Sequence, residues 1–366
     1  MKRNKHNRGK LQPLVSLCTP TFNRRPFIPM MLKCFENQTY PKNRIEWIIV
    51  DDGTDKIEDL VSHIPQIKYF KYDTKMTLGK KRNILNEKTS GSIIIFIDDD
   101  DYYPPERISH AVQTLEKNPN ALCAGSSEMF LYFKHINKML KFGPYGQTHA
   151  TAATFAFRRE LLNKTKFDET SSVAEEKKFL KDYTIPFVQL DSKKTILVFS
   201  HNHNSFDKKE LLTPSPNKFI QETDVKCSDF VKEPEILKFF MEDIDALLEA
   251  YDPGKPIHKP DVTKQLVEMK IEREAKMKEH MQKQLEQQEI VAKMQNKNSS
   301  QSDQNKITEQ SVIIQQLTLE NKQLNDKVKY LDDKIKQFIN DKIQEKLRTK
   351  NVIGENALLE PYVIVN

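Results

Sequence analysis

The sequence predicts an α/β domain with a mostly parallel sheet and flanking helices, followed by an α-helical coiled coil. Three observations lead to this prediction. Short β-rich runs alternate with helical stretches from residue 14 onward, which is typical of parallel strands joined by helices. Polar or acidic residues follow three of these runs directly. Nearer the C-terminus, apolar residues recur with a seven-residue period, which indicates a coiled coil.

The composition fits a globular part combined with an extended part. Of the 366 residues, 37% are hydrophobic and 30% are charged, a polar balance for a chain of this length. The net charge of +6 comes from interleaved charges. Beyond the Lys/Arg-rich residues 1–11, expected to be a disordered arm, no basic patch indicates nucleic-acid binding.

The same composition argues against a secreted or membrane-spanning chain. No signal peptide is expected, and no run of about 18 to 20 apolar residues indicates a membrane span. The four cysteines are widely scattered, which favours buried thiols over disulfides or a zinc site. We therefore expect a cytoplasmic protein.

The first half of the domain, residues 12–110, is predicted to carry the crevice. Strands are expected at residues 14–18, 47–50, 67–72 and 92–97, and helices at 28–36 and from 79 to 86. The run 92–97 is apolar throughout, as in a strand buried on both faces. Ligands bind beyond the carboxyl ends of parallel strands. The strand ends at 19–23, 51–53 and 98–101 should therefore line one crevice.

The second half, residues 111–220, is predicted to alternate in the same way. A strand is expected at 151–157, a helix at 159–163, another helix from near Ala174, and a last strand at 195–200. In residues 221–256, a helix from 234 to 251 places Leu237, Phe240, Ile244, Leu248 and Tyr251 near one face. An amphipathic helix of this kind is expected to pack back on the domain.

The remaining segments are a charged helix at 257–296, a polar linker at 297–305, a coiled coil at 306–350 and a tail at 351–366. In the coiled coil, position a holds Ile314, Asn321, Val328 and Ile335, and position d holds Leu317, Leu324, Leu331 and Phe338. This pattern favours a parallel dimer, with Lys327 facing Asp332 of the partner helix. The alternative is a solvated single helix.

The acidic run Asp98 to Asp101 is the main candidate for a metal site. Four adjacent carboxylates at a strand end repel one another unless a cation is present. Carboxylate oxygens suit Mg²⁺ or Mn²⁺, and these ions complete their coordination with substrate phosphates. Lys80, Lys81 and Arg82 at a helix start can add phosphate donors. The alternatives are a solvated acidic loop and a solvated basic face.

Five motifs resemble, in order, those of glycosyltransferase family 2, which has a Rossmann-like GT-A fold. They are VSLCTPTFNR (15–24), IVDDGT (49–54), GKKRN (79–83), FIDDDDYYPP (96–105) and FDE (167–169) followed by Glu175 and Glu176. The similarity covers residues 12–210. It implies a transferase of hexosyltransferase type that uses a nucleotide-diphosphate donor.

The resemblance assigns donor and metal roles to particular positions. The loop Pro20, Thr21, Phe22 and Asn23, together with Asp52, matches the site of the nucleotide base, usually uracil, so a UDP-sugar is the implied donor. Asp98 matches the position near the ribose. Asp100 matches the metal-binding aspartate of the DXD motif, assisted by Asp99 or Asp101. The implied cofactor is Mn²⁺ or Mg²⁺.

Two further assignments remain open within the resemblance. Glu176 matches the general base of an inverting displacement, but the family commonly has Glu-Asp where this chain has Glu-Glu, so Glu175 is the alternative. Both can also be helix-start charges. His201 or His203 matches a region from which relatives close the metal site with a histidine. A neutral loop histidine is the alternative.

The acceptor and the wider role are less defined. Residues 148–159 resemble the strand that lines the acceptor side, where small side chains leave room for a sugar ring. The acceptor can be a glycan, a protein or a small molecule. We carry two other functions forward, a nucleotidyltransferase and an inactive module that serves as an oligomeric scaffold.

Overall fold

The computed structural model describes residues 12–212, 219–297 and 304–355. It divides into two units, residues 1–275 and 276–366. All strands of the described residues belong to the first unit, and the described part of the second is helical. The predicted basic arm, most of the predicted polar linker and residues 356–366 of the predicted tail lie outside the described residues.

Eleven strands and ten α-helices make up the described part of the chain. The strands are β1 (Val15–Thr21), β2 (Ile45–Asp51), β3 (Ile67–Lys71), β4 (Ile93–Phe96), β5 (Cys123–Gly125), β6 (Met129–Phe133), β7 (Lys138–Phe142), β8 (Ala156–Arg158), β9 (Phe187–Gln189), β10 (Leu197–Ser200) and β11 (Ile220–Glu222). The helices are α1 (Ile28–Glu36), α2 (Glu58–Val61), α3 (Leu78–Lys88), α4 (Arg107–Lys117), α5 (Glu176–Phe179), α6 (Cys227–Phe230), α7 (Pro234–Lys238), α8 (Ile244–Glu249), α9 (Pro260–Lys297) and α10 (Gln304–Glu355).

The larger sheet has seven strands in the order β3-β2-β1-β4-β8-β5-β9. β1 pairs in parallel with both β2 and β4, and β2 pairs in parallel with β3. Only β8 runs antiparallel to its neighbours β4 and β5. All four residues of β4 are buried, as expected for a strand covered on both faces. The predicted α/β architecture with a mostly parallel sheet is confirmed.

Helices cover both faces of this sheet. On one face, the Phe35 ring of α1 lies 4.8 Å from the Trp47 ring of β2, in a core that also contains Leu115 of α4. On the other face, Leu85 of α3 packs in a cluster with Phe96 of β4. Burial of each such side chain contributes about 1.5–3 kcal/mol, so the carboxyl ends of the strands rest on a rigid base.

A second sheet, in the order β10-β6-β7-β11, was not predicted. β6 and β7 form an antiparallel hairpin, and β10 lies parallel to β6. Its aromatic face packs on the helices that follow it, with the Phe199 and Phe240 rings stacked at 4.3 Å. A bridge pairs Tyr102 with Leu197 of β10. This bridge brings the chain after β10 next to the acidic run.

Two predicted elements in the second half differ from the structure. Residues 151–157 were predicted to be one strand, but Ala152–Thr154 is a 3-10 turn and the strand begins at Ala156. Thr154 Oγ1 donates to Thr151 O at 2.7 Å, a local bond that competes with an extended strand. The helix predicted from near Ala174 begins at Glu176, because Ala174 has a φ of 54°, outside the helical range.

The predicted amphipathic helix at 234–251 is helical without a break from 234 to 249, but it is not α-helical throughout. A π-helical turn, Phe239–Asp243, separates α7 from α8, which ends at Glu249. Phe240, Ile244 and Leu248 are buried as expected.

In the second unit, α9 and α10 border a common groove lined by Val291, Ile313 and Ile314 among others. The apolar residues at the predicted seam positions of α10 are all exposed in the single chain. No helix of the described residues is long and apolar enough to cross a bilayer.

Candidate active site

A pocket of about 400 Å³ opens at the carboxyl ends of β1 and β4, where the crevice was expected. Segments far apart in the sequence line it: Pro20, Phe22, Arg24, Lys75, Met76, Leu78, Lys81, Arg82, residues 98–101, 151–153, 172–176 and 204–206, Lys208, Lys259, Asp261 and Val262. Carboxylates and cations therefore share one concave surface. Such a cluster is typical of a ligand site.

The start of α3 holds the segment that leads to Glu175 and Glu176. Asn83 donates Nδ2 to Phe167 O at 3.0 Å and accepts from Phe167 N at 2.9 Å. Gly79 N donates to Ser171 O at 2.8 Å. A Cβ atom on Gly79 would lie 1.9 Å from Asp168 O, so this approach of two backbones requires glycine.

The acidic run is buried and only partly neutralised. Burial raises the pKa of Asp99 to about 7, and burial with the charge of Asp100 raises the pKa of Asp101 well above its ordinary value. Asp98 Oδ1, Asp99 Oδ2 and Asp101 Oδ1 have no hydrogen-bond donor among the described residues, although Asp98 Oδ1 lies 3.6 Å from Arg82 Nη2. Because buried oxygens without donors are costly, these atoms favour a ligand that brings positive charge.

Asp100 is the member of the run with the most partners. Its Oδ2 lies 3.0 Å from Arg24 Nη2 and 3.3 Å from His201 Nε2. Arg24 Nε also lies 3.4 Å from Asp99 Oδ1. Burial opposes ionisation of Asp100, but Arg24 and His201 hold its pKa well below the ordinary value. Among the four carboxylates, Asp100 is therefore the one whose ionised form the surrounding side chains stabilise most.

His201 supports Asp100 from the chain after β10. His203 N donates to His201 Nδ1 at 3.2 Å. Nε2 lies beside Asp100 and 2.8 Å from the Asn204 side-chain amide. Burial is the main reason that the pKa of His201 is lowered to about 4. Both ring nitrogens therefore already have neighbours within the protein.

His203 points elsewhere. Its ring lies 6.4 Å from that of Tyr251, and burial, with Arg24 and nearby lysines, lowers its pKa to about 4. Its carbonyl oxygen, rather than its ring, accepts from Arg24 Nη1 at 2.8 Å. The two histidines are not among the residues that line the pocket. Metal ligation by either stays a prediction.

Of the residues predicted to bind the base, some line the pocket and others are buried behind its lining. Pro20 and Phe22 line the pocket, and Lys75 Nζ lies 5.2 Å from the Phe22 ring centre. Asp52 is buried behind them, where it pairs with Lys81 and accepts from Met76 N at 2.6 Å.

Thr21 and Asn23 act mainly through the backbone and through structural contacts. Thr21 O accepts from Lys81 Nζ at 3.0 Å, whereas its hydroxyl has no partner among the described residues. Asn23 has a φ of 52°, and its side chain accepts from Asp55 N and donates to Pro253 O, each at 2.9 Å. Its amide is thus used to join loops and does not line the pocket.

Of the three basic residues at the start of α3, Lys81 and Arg82 reach the pocket and Lys80 does not. Successive helical residues point about 100° apart, and Lys80 lies on the exposed side. Arg82 is 2% exposed. Its Nε donates to Glu175 Oε1 at 2.7 Å, and its Nη1 has no partner among the described residues.

Glu175 and Glu176 have different surroundings although they are adjacent. Glu175 is buried against Arg82. Glu176 is half-buried at the start of α5 and lines the pocket. Burial and the charge of Glu175 raise the pKa of Glu176 to about 7. A carboxylate with a pKa near the working pH is suited to exchange protons.

The donor set of the acidic run fits a divalent cation. No group of three or more His, Cys, Asp or Glu side chains in the described ranges is positioned to hold a metal ion. The unpartnered oxygens of Asp98, Asp99 and Asp101 instead fit an ion held by one or two carboxylates. Mg²⁺ and Mn²⁺ are commonly bound in this way when phosphates complete the coordination.

Several pocket residues had no role in the sequence analysis, and three of them carry charge beside the acidic run or the start of α9. Arg24 follows the first loop and pairs with two aspartates of the run. Lys259 and Asp261 enter from the start of α9, far beyond the five motifs. Arg24 could be suspected from its place directly after a strand-end loop, but no local pattern distinguishes Lys259 from the other lysines of a lysine-rich segment.

Comparison with known proteins agrees with the motifs. The family model described as Glycosyl transferase family 2 matches residues 16–172. An uncharacterized glycosyltransferase of Haemophilus influenzae is 28% identical over 127 residues, which cover 32% of this chain and 42% of that protein. Poly(ribitol-phosphate) beta-N-acetylglucosaminyltransferase TarS of Staphylococcus aureus is 28% identical over 116 residues, which cover 28% of this chain and 19% of TarS.

Among solved structures, mannosyltransferase PcManGT from Pyrobaculum calidifontis, in complex with GDP-Man and Mn²⁺, aligns with a TM-score of 0.42 and 16% identity. The alignment covers 51% of this chain and 56% of that one. The chain spans less than half the length of the curated relatives that it matches.

Proposed function

Because the chain carries a glycosyltransferase family 2 domain, we propose that it transfers a sugar from a nucleoside-diphosphate donor to a hydroxyl acceptor, with inversion. One observation carries the proposal. A single pocket is lined by an acidic run with unpartnered oxygens, by the cation Arg82, and by Glu176 with its raised pKa. These groups suit, respectively, a cation, a leaving diphosphate and an acceptor proton.

The donor is proposed to be a UDP-sugar. Pro20 and Phe22 are available to contact the base, and Asp52 fixes the wall behind them through Lys81 and Met76. Asp98 also lines the pocket and is assigned to the ribose. The TarS relative is named as an N-acetylglucosaminyltransferase, which makes UDP-N-acetylglucosamine the first donor to test.

Mn²⁺ or Mg²⁺ is proposed to be held by Asp100 with Asp99 or Asp101. When bound, such an ion neutralises the charge of a diphosphate. Arg82 Nη1, which has no hydrogen-bond acceptor among the described residues, is proposed to donate to a phosphate oxygen. Glu176 takes the proton of the acceptor hydroxyl, so that the acceptor oxygen attacks the anomeric carbon from the face opposite the diphosphate.

The experiment that tests this function identifies the nucleotide product. The chain is incubated with UDP-N-acetylglucosamine, other UDP-sugars and GDP-mannose, each with Mn²⁺ or Mg²⁺, and the released nucleotide is measured. Release of a nucleoside diphosphate with transfer of the sugar is expected. Release of pyrophosphate from a nucleoside triphosphate would instead indicate a nucleotidyltransferase. No turnover and no nucleotide binding would favour the scaffold alternative.

We expect a pH profile of turnover that reports Glu176. A general base acts only when deprotonated, and the pKa of Glu176 is raised to about 7. At saturating donor, kcat should fall about tenfold per pH unit below about pH 7 and be flat above it. Measurement of kcat across this range checks the prediction. A profile that is flat down to about pH 5 would contradict it.

The C-terminal helices are proposed to form a homo-oligomer, with a dimer favoured. Leu324, at seam position d, is 60% exposed in the single chain, and Leu319, at the outer position f, is 58% exposed. Equal exposure makes them a matched pair. Leu324→Glu is expected to give a monomer because a charge at d disrupts the seam, whereas Leu319→Glu should keep the oligomer. Light scattering of both variants checks this, and an oligomer unchanged by Leu324→Glu would contradict it.

A further inference from the structure

Lys259 is a buried cation of the pocket that lies outside the matched domain. It directly precedes α9 and is 4% exposed. Its Nζ donates to His203 O at 3.3 Å and to Ser205 Oγ at 3.2 Å. Both acceptors are neutral, and no carboxylate of the described ranges forms an ion pair with it. An ammonium group buried in this way is destabilised unless an anion joins it.

A second cation converges on the same carbonyl group. Arg24 Nη1 donates to His203 O at 2.8 Å, so the two cations share one acceptor. Burial and the charge of Arg24 lower the pKa of Lys259 to about 6. Arg24 already pairs with Asp99 and Asp100. The ammonium form of Lys259 therefore has no ion-pair partner among the described residues, and the charges of Asp99 and Asp100 only partly offset its burial.

The first turn of α9 fixes Lys259 relative to the catalytic segment. Asp261 Oδ2 accepts from Ser172 Oγ at 2.7 Å, and the other oxygen of Asp261 pairs with Lys75. Gln265 Oε1 accepts from Ser172 N at 2.6 Å and from Val173 N at 2.9 Å. The start of α9 therefore connects the segment before Glu175 to Lys75, which lies beside Phe22 in the pocket. A rigid side chain of this kind binds a ligand with little loss of entropy.

We propose that Lys259 is a ligand of the donor diphosphate, supplied to the domain by the segment that begins α9. The assignment rests on the proposed function, because it takes the missing anion to be a nucleoside diphosphate. Ammonium donors bind phosphate oxygens through charge-assisted hydrogen bonds. When the diphosphate binds, Lys259 Nζ would donate to a phosphate oxygen, either in place of its bonds to His203 O and Ser205 Oγ or in addition to them. The start of α9 is then part of the active site and not only a connection to the C-terminal helices.

The test compares binding of UDP and of uridine to the full-length chain by calorimetry. Lys259→Gln keeps a side chain that can bond His203 O but lacks the charge. It should weaken UDP and pyrophosphate binding about 10-fold to 100-fold, the loss expected for one charge-assisted hydrogen bond. Binding of uridine, which has no phosphate, should not change. Lys255→Gln is the matched control, because Lys255 lies on the same segment and pairs with Asp252 at 2.9 Å.

Each outcome decides the proposal. Equal binding of UDP by wild type and Lys259→Gln would overturn it and leave the proposed function standing. Equal weakening of UDP and uridine would also overturn it, because the lysine would then act on the whole pocket. If the wild type binds pyrophosphate, Lys259→Gln weakens that binding, and no nucleotide binds, then Lys259 is an anion ligand but the proposed function is wrong. Thermal unfolding checks each fold, and Lys259→Met, which keeps the apolar stem, replaces Lys259→Gln if that variant does not fold.

Discussion

Turnover by the Glu176→Gln variant is expected to fall about 100-fold to 10,000-fold, the usual contribution of a general base. Glutamine keeps the size and polarity of the side chain but cannot accept the proton of the acceptor hydroxyl. Binding of UDP should stay close to wild type, because Glu176 is proposed to contact the acceptor and not the nucleotide. Steady-state kcat and a separate UDP titration measure the two effects.

Glu175→Gln separates the two adjacent carboxylates. Glu175 accepts from Arg82 Nε at 2.7 Å, and the loss of its charge leaves a buried guanidinium with less compensation. This variant is expected to weaken donor binding and to lower the melting temperature. Glu176→Gln, by contrast, removes repulsion between two neighbouring carboxylates and should leave the melting temperature unchanged or higher. The distinction needs both readouts.

The opposite pattern would reassign the base. If Glu175→Gln abolishes kcat with normal UDP binding while Glu176→Gln is active, Glu175 accepts the proton and Glu176 does not. The pH profile provides an independent check. Its inflection near pH 7 should disappear in Glu176→Gln, whereas in Glu175→Gln it should persist at a lower pH, because the charge of Glu175 helps to raise the pKa of Glu176.

The parallel half of the fold was predictable because its signals are local. Each strand from β1 to β4 is a short apolar run with a helix or a polar strand end after it, and the helix predicted at 28–36 matches α1. Ligands bind beyond the carboxyl ends of parallel strands, and this rule then predicts the position of the crevice. Local pattern and tertiary packing agree in this region, as they do in the most designable folds.

The second sheet could have been found from a weaker signal. The run from Met129 to Phe133 is apolar and aromatic, and Lys138 to Phe142 alternates in part, with Asn137 between them at a φ of 49°. Two β-rich runs separated by a short polar turn indicate a hairpin. The antiparallel bridge to Leu197, which positions His201, depends on long-range pairing. No local pattern encodes that pairing.

The roles of individual charges were the least predictable part of the site. Four aspartates in sequence suggested one metal cluster, yet Arg24 engages two of them. Three basic residues in a row suggested a phosphate trio, yet helix geometry turns Lys80 outward. The partner of a buried charge depends on tertiary contacts, because the opposite charge or hydrogen-bond partner that it needs often comes from a distant part of the sequence. Lys259 is the clearest case, because its neighbours come from residues 203 and 205.

The charges of the pocket form two groups with different requirements. Asp98, Asp99 and Asp101 present oxygens without donors, so this group gains from a cation. Arg82 pairs with Glu175, but its Nη1 has no hydrogen-bond acceptor among the described residues, and Lys259 forms no ion pair there. This second group therefore gains from a diphosphate. A cation and a diphosphate that bind together compensate both groups at once. The pocket should therefore bind either one weakly when the other is absent, which is positive coupling between two ligands.

Asp100→Asn should remove this coupling together with turnover. The ionised form of Asp100 is stabilised by Arg24 and His201, and the variant keeps the shape of the side chain but removes the charge proposed to hold the metal ion. We expect kcat to fall at least about 100-fold to 1,000-fold, as for other groups that stabilise a leaving charge. UDP titrations with and without Mn²⁺ should show tighter binding with the ion in wild type and no difference in the variant.

His201→Gln is the control that distinguishes a ligand from a support. His201 Nε2 lies 3.3 Å from Asp100 Oδ2, and both ring nitrogens have protein neighbours. If His201 only orients Asp100, the variant should keep the effect of Mn²⁺ on UDP binding, with a modest loss of kcat. Loss of that effect in His201→Gln would make the histidine a metal ligand. UDP binding and turnover of the wild type that do not change when Mn²⁺ or Mg²⁺ is added would contradict the proposed metal. Arg24 would then be the cation that balances the charge of Asp100.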